Sequence, residues 1–249
     1  MKRPLLSLLV ALLASFAALA VAPAGATAAD RPDPVVIVNG TFGPAFFYEP
    51  LAARLRADGN DVHIFELTNL GTGDIAATAQ DLARFVDGVR AATGAAKVDL
   101  VGHSQGGLVA RQYVKYLGGA STVDSLVSLG APHYGTAVAN IADFFGGGNC
   151  LGIVACQQMA VGSEFVNELN AGDDTIGSVR YTNLYTALDE LVRPVANASL
   201  PDGATNVLIQ SQCPFRVVGH VGLALDGTVY DGVHDALLGR PIELNCFAV

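Results

Sequence analysis

Val98-Asp99-Leu100-Val101-Gly102-His103-Ser104-Gln105-Gly106-Gly107-Leu108-Val109-Ala110-Arg111 is the stretch that decides the fold. An apolar run ends at Gly102. Beyond Ser104, Leu108, Val109, Tyr113, Val114 and Leu117 recur at three- and four-residue spacing, the period of a helix packed on one face. Between the two sits Gly102-His103-Ser104-Gln105-Gly106, a G-x-S-x-G sequence in strand-to-helix context. Such a turn lifts the serine hydroxyl above the sheet. It strains the serine backbone and needs small residues at Gly102 and Gly106, where neighbouring elements approach closely. The helix that follows aims its free N–H groups and positive dipole end at the serine, where an oxyanion can be held. The spacing predicts a nucleophile at Ser104. A glycine-rich loop that only turns the chain is the plainer alternative.

Outward from that turn, apolar runs alternate with helical patterns. Val35–Val38 reads as a strand buried on both faces, followed by the turn-rich Asn39-Gly40-Thr41-Phe42-Gly43-Pro44. Helices are expected over 48–57 and 74–92, with strands at Val62–Phe65 and 97–101. Strands follow at Val123–Leu129, 179–185 and 207–210, with a short helix at 163–169 and a final one at 228–238. Residues 131–149 read as irregular. Their glycine run, 146–148, lacks the Lys-Ser/Thr of a phosphate loop and is expected to be a surface loop. This alternation implies parallel βαβ units and a doubly wound, mostly parallel sheet flanked by helices.

The chain has 249 residues, 51% of them hydrophobic and 15% charged, which suits one domain with a large core. Lys2 and Arg3 precede an apolar run over 5–22, and Ala26-Thr27-Ala28 offers an A-x-A cleavage site. Residues 1–28 are therefore expected to be a secretory signal peptide and 29–249 the single catalytic domain. A membrane anchor is the competing reading of the same run. Removal of Lys2 and Arg3 moves the formal charge from −9 to −11, since no acidic residue precedes position 29. An acidic chain argues against nucleic acid as partner. Four cysteines in a secreted chain imply disulfides, and three pairings are possible. Cys150 with Cys156 and Cys213 with Cys246 is the favoured one. The first clips a short loop, and the second ties the C-terminal tail to the segment before His220. No C-x-x-C or H-E-x-x-H spacing points to a metal.

A serine hydroxyl needs a base to take its proton, usually a histidine oriented by a carboxylate. Three histidines follow Ser104: His133, His220 and His234. His220 lies in a short glycine-flanked segment, Val218-Gly219-His220-Val221-Gly222, between the last strand and the last helix. His133 comes too early for the usual order of serine, acid, histidine. His234 falls inside the last helix. The acid should follow a strand between Ser104 and His220, which places Asp189 in the loop after 179–185, with Glu190 as its neighbour and competitor. Asp173, Asp174 and Asp202 precede strands and read as solvated turn residues. Two oxyanion donors are expected, the backbone N–H of Gln105 and a group on Thr41 in the loop after the first strand. A turn-capping Thr41 is the alternative.

These residues resemble secreted α/β-hydrolase lipases, most specifically the lipase B type of the yeast Candida antarctica. Val38-Asn39-Gly40-Thr41 is similar to the oxyanion loop of that family, and Ser104-Gln105-Gly106-Gly107-Leu108-Val109-Ala110 to its nucleophile segment. Thr182-Asn183-Leu184-Tyr185, followed by Asp189-Glu190-Leu191-Val192 and Pro194, is similar to its acid segment. Cys213-Pro214-Phe215 and His220 resemble its cysteine and histidine region. A weaker similarity extends to small secreted bacterial lipases, through His220-Val221-Gly222-Leu223. The resemblance implies an α/β-hydrolase fold, a Ser104–His220–Asp189 triad, an oxyanion hole at Thr41 and Gln105, and pairing of Cys213 with Cys246. It implies no cofactor and no catalytic metal. Where the yeast type carries a tryptophan before the nucleophile, this chain has His103.

The expected function is a secreted serine hydrolase that cleaves carboxylic esters through an acyl-enzyme, foremost a triacylglycerol lipase. A short-chain carboxylesterase, an acyltransferase or a polyester hydrolase would use the same triad. A catalytically silent binding protein on this fold is the non-enzymatic reading. The expected partners are a lipid or other ester substrate and, transiently, a lipid–water interface met by a monomer. The apolar residues Phe42, Ala45, Phe46, Phe47 and Tyr48 could serve that contact or be core.

Overall fold

The computed structural model describes residues 32–137 and 149–249. The expected signal segment, 1–28, and the glycine run 146–148 lie outside the described residues. Six strands, β1 (Val35–Val38), β2 (Val62–Phe65), β3 (Val98–His103), β4 (Val123–Leu129), β5 (Arg180–Tyr185) and β6 (Thr205–Leu208), form one sheet. Their order is β2-β1-β3-β4-β5-β6, and every pairing is parallel.

A parallel sheet covered on both faces explains why its central strands read as continuous apolar runs rather than alternating ones. Val36, Val38, Leu100 and Leu126 point to one face. There they pack against α2 (Ile75–Thr93) and α3 (Gln105–Tyr116). Val35, Ile37, Val101 and Val127 point to the other. There they meet α1 (Ala45–Ala57) and the last helix, Gly227–Leu237.

Local chemistry sets the helix ends. The Asp74 carboxylate accepts the Ala77 N–H at 2.7 Å and starts α2, which stops at Gly94 in the left-handed conformation. Helix α1 begins at Ala45, three residues before the sequence expectation, because Glu66 from the β2 loop accepts the Ala45 N–H at 2.7 Å. Pro50 thus falls in the second turn of α1 instead of its first. Strand β6 lies two residues earlier than expected. Ile209 and Gln210 open a short helix, and the Gln210 side chain turns away to accept the Ala187 N–H at 2.8 Å.

Asp174 differs from its reading as a solvated turn residue. It is 2% exposed and carries an ion pair with the equally buried Arg111 at 3.3 Å. Its other oxygen accepts the Tyr134 hydroxyl at 2.6 Å. The carboxylate is buried because a buried guanidinium of α3 requires it. Cys150 is bonded to Cys156, and Cys213 to Cys246.

The topology locates the working end of the sheet. From β1 the chain steps outward to β2 and then returns past β1 to β3 and beyond, so the winding reverses between β1 and β3. A crevice opens at such a switch point, at the carboxyl ends of the strands. The loop after β1 carries Thr41, and the turn after β3 carries Ser104.

Candidate active site

Ser104 occupies the turn between β3 and α3 with φ 55° and ψ −126°, a strained conformation for a residue with a side chain. Close packing enforces it. A Cβ at Gly106 would stand 2.2 Å from the Val38 carbonyl oxygen, and one at Gly102 would stand 2.7 Å from the Gly107 backbone. The Ser104 N–H donates to the Leu129 carbonyl at 2.9 Å and pins the turn to β4.

His220 Nε2 lies 2.8 Å from Ser104 Oγ, and its Nδ1 lies 2.8 Å from Asp189 Oδ2. The second carboxylate oxygen, Oδ1, accepts the N–H groups of Leu191 at 2.9 Å and Val192 at 2.7 Å. Asp189 is thereby buried with both oxygens partnered. Glu190, the competing acid, does not face the imidazole. Its carboxylate accepts the His220 backbone N–H at 2.9 Å. The adjacent acids thus grip one histidine by ring and by main chain.

The other two histidines are engaged elsewhere. His133 is fully buried, with Nε2 2.9 Å from Asn183 Oδ1, and burial holds it well below the usual histidine range. His234 stacks on Tyr230 and stands 3.6 Å from Asp58.

Thr41 and Gln105 come together on the other side of Ser104, with Thr41 Oγ1 donating to Gln105 Oε1 at 2.5 Å. The Gln105 backbone N–H is the first of α3, which leaves it without an intrahelical acceptor.

Two further residues of the site carried only weak signals in the sequence. His103 Nδ1 lies 2.8 Å from the Tyr48 hydroxyl, and its Nε2 lies 3.1 Å from the His220 carbonyl oxygen. Burial, then the neighbouring His220, pushes His103 down to about 3. Tyr48, read within an apolar patch, is buried, and its hydroxyl also accepts the Gly40 N–H at 2.7 Å. The available signal was chemical: a phenol on the inner face of a helix needs a polar partner.

Among the described residues, the grouping of acidic, histidine and cysteine side chains that could hold a metal is Asp33, Asp99 and Asp124, at the amino ends of the strands and away from Ser104.

A parallel sheet with a serine on a strained strand-to-helix turn, and a histidine and an acid on later loops, is the α/β-hydrolase arrangement. Solved structures agree on the fold. Lipase B of Aspergillus fumigatus matches with a TM-score of 0.71 at 23% identity, over 85% of this chain and 54% of that one. The mature form of a Bacillus licheniformis lipase matches with a TM-score of 0.62 at 20% identity, over 78% and 86%. Residues 32–218 match the family model described as Lipase (class 2), and the chain belongs to that family. It is 34% identical over 114 residues to a triacylglycerol lipase of Pseudarthrobacter phenanthrenivorans, covering 43% of this chain and 35% of that protein. It is 27% identical over 210 residues to lipase B of Pseudozyma antarctica, covering 80% and 59%. The resemblance to lipase B and bacterial lipases is thereby borne out. The matches span about a third of the length of the bacterial relatives and under two thirds of the antarctica protein.

Proposed function

We propose that the protein is a secreted serine hydrolase that cleaves carboxylic esters of lipids, with triacylglycerols as the substrate class. The observation that carries the reading is the unbroken line from Ser104 Oγ to His220 Nε2 and from Nδ1 to Asp189, each step 2.8 Å. Ser104 Oγ attacks the ester carbonyl while His220 takes its proton. Asp189 fixes the tautomer and faces the imidazolium that forms. The developing oxyanion lies toward the Gln105 N–H and toward Thr41, which offers its N–H and, once it turns from Gln105 Oε1, its hydroxyl. One such donor is typically worth ~2.7–4 kcal/mol of transition-state stabilisation. His220 then protonates the leaving alcohol, and water cleaves the acyl-enzyme by the same base.

Lipid rather than small soluble esters is favoured by the rim of this end. Phe42, Phe46, Leu70, Leu188, Phe215 and Val217 are all exposed, and each lies on a segment leaving the carboxyl end of β1, β2, β5 or β6. Among the described residues, the exposed large apolar side chains outside these segments and the disulfide-tethered tail are Tyr116, Leu238 and, on the segment between β4 and β5, Leu151, Val154 and Val161. Exposed apolar groups on several segments that leave one end of the sheet suit contact with a lipid surface. Passage through an oxidising compartment is supported by the two disulfides and by the signal-like 1–28 segment.

The test is hydrolysis of p-nitrophenyl esters from acetate to palmitate by the wild type and Ser104→Ala. Long-chain turnover that vanishes in the variant is expected. Turnover limited to short chains would make the protein an esterase. Equal activity in both proteins would overturn the reading.

A further inference from the structure

We propose that His103 is a positioning residue that locks the loop of His220 to the segment carrying the oxyanion donors. The inference rests on the serine-hydrolase reading above and goes beyond it, since His103 makes its hydrogen bonds to Tyr48 and to the His220 carbonyl, not to Ser104 Oγ.

Donor logic fixes the direction of every bond. The His220 carbonyl can only accept, so His103 Nε2 carries the proton of their 3.1 Å contact. His103 Nδ1 is then a bare lone pair and accepts the Tyr48 hydroxyl proton at 2.8 Å. The Tyr48 oxygen in turn accepts the Gly40 N–H at 2.7 Å. One directed chain therefore runs from Gly40, next to Thr41, through α1 and the nucleophile turn to the main chain of His220. Its ends lie on the loops after β1 and β6, which are not neighbours in the sheet.

The chain completes the clamp on His220. Asp189 holds the ring, Glu190 holds the backbone N–H, and His103 holds the backbone carbonyl. Burial keeps His103 neutral down to about pH 3, so the tautomer survives wherever an esterase works. Neutrality also matters to the chemistry. The two imidazole rings lie 5.1 Å apart, and a charged His103 would oppose the positive charge that His220 takes up during attack. A satisfied core histidine with no bearing on catalysis would need none of these ends to meet the site.

The experiment measures kcat and KM for p-nitrophenyl butyrate, with thermal melting, for wild type, Ser104→Ala, His103→Phe, His103→Gln and Tyr48→Phe. His103→Phe keeps a ring and removes both nitrogens. It is expected to lower kcat on the order of 100-fold, the scale of a small misplacement of a catalytic group, with KM little changed. Tyr48→Phe breaks the chain one link further out, and about 10-fold in kcat is expected, the equivalent of one hydrogen bond. His103→Gln retains a donor for the His220 carbonyl and should recover part of the loss. An unchanged kcat in folded His103→Phe, with only the melting temperature lowered, overturns the proposal and leaves the serine-hydrolase reading intact. Should His103→Phe fail to fold, an unchanged kcat in Tyr48→Phe overturns it equally. Full activity in Ser104→Ala takes down both.

Discussion

Asp189 and Asp99 are buried aspartates at opposite ends of one sheet, and their surroundings differ. Asp189, at the carboxyl end, meets an imidazole nitrogen with one oxygen and two backbone N–H groups with the other. Asp99 sits near the amino end of β3, where one oxygen from each of Asp33, Asp99 and Asp124 lies within 4.8 Å of the others. Its Oδ1 has no hydrogen-bond partner. The nearby cations are committed to Asp124, with Arg180 at 2.7 Å and Lys97 at 3.5 Å. Burial, followed by Asp33 and Asp124, pushes Asp99 up to about 8. Burial is the first cause at Asp99, where Oδ1 meets no partner, whereas each oxygen of the likewise buried Asp189 has one.

The sharpest way to break this comparison is to neutralise each aspartate. Asp189→Asn should lower kcat on the order of 10⁴-fold by presenting the wrong partner to the His220 ring, with little change in KM. A loss below tenfold in ester hydrolysis would remove Asp189 from the site. Asp99→Asn should act on stability and with the opposite sign. Asp99 binds its proton more tightly folded than unfolded, so its contribution falls as pH rises from about 4 to about 8. Over that window the wild type should lose about 1.4 kcal/mol per pH unit relative to Asp99→Asn. Urea unfolding at pH 5, 6.5 and 8 reads this difference. A gap independent of pH would mean that Asp99 ionises freely in the fold.

The buried histidines must be separated from that effect. His103 and His133 are held below the usual histidine range, so their neutral burial is fully tolerated above about pH 6.5. The stability they carry is lost as pH falls below that value. Both proteins share this loss, which is why the difference between them is the quantity to follow.

A smaller effect distinguishes the two disulfides that brace the carboxyl end. Cys213–Cys246 closes a separation of 33 residues and Cys150–Cys156 one of 6. Loop closure assigns about 3–4 kcal/mol to the longer and about 2 kcal/mol to the shorter. Paired cysteine-to-serine variants, compared by denaturant midpoint, should rank in that order. The reverse ranking would show that local geometry around 150–156 matters more than chain entropy.

Much of the fold was legible because it is written in short-range patterns. The apolar run Val35–Val38 and the helical spacing of Ile75, Leu82, Val86 and Val89 each lie within a single element. The residues on which they pack need not be known for the pattern to be read. Element ends were less legible where a distant group intervenes, as Glu66 does at the start of α1. Buried polar groups were the least legible. Asp174 reads as a turn residue because nothing nearby in sequence announces Arg111, 63 positions away.

By itself the sequence determined the strand-to-helix turn at Ser104. Gly102 and Gly106 around Ser104, between a strand and a helix, leave little other reading, since no side chain fits at either glycine. It also narrowed the partners of Ser104 to His220 and to the adjacent pair Asp189 and Glu190. Tertiary structure alone set those two acids apart, turning Asp189 to the imidazole and Glu190 to the main chain. It also gave His103 and Tyr48 their place beside the site. The physical reason is separation. Ser104 and His220 are 116 positions apart, and His220 and Asp189 are 31 apart. Local periodicity carries no information about which atoms of such residues meet. That is settled when the loops after β1, β3, β5 and β6 pack over one end of the sheet.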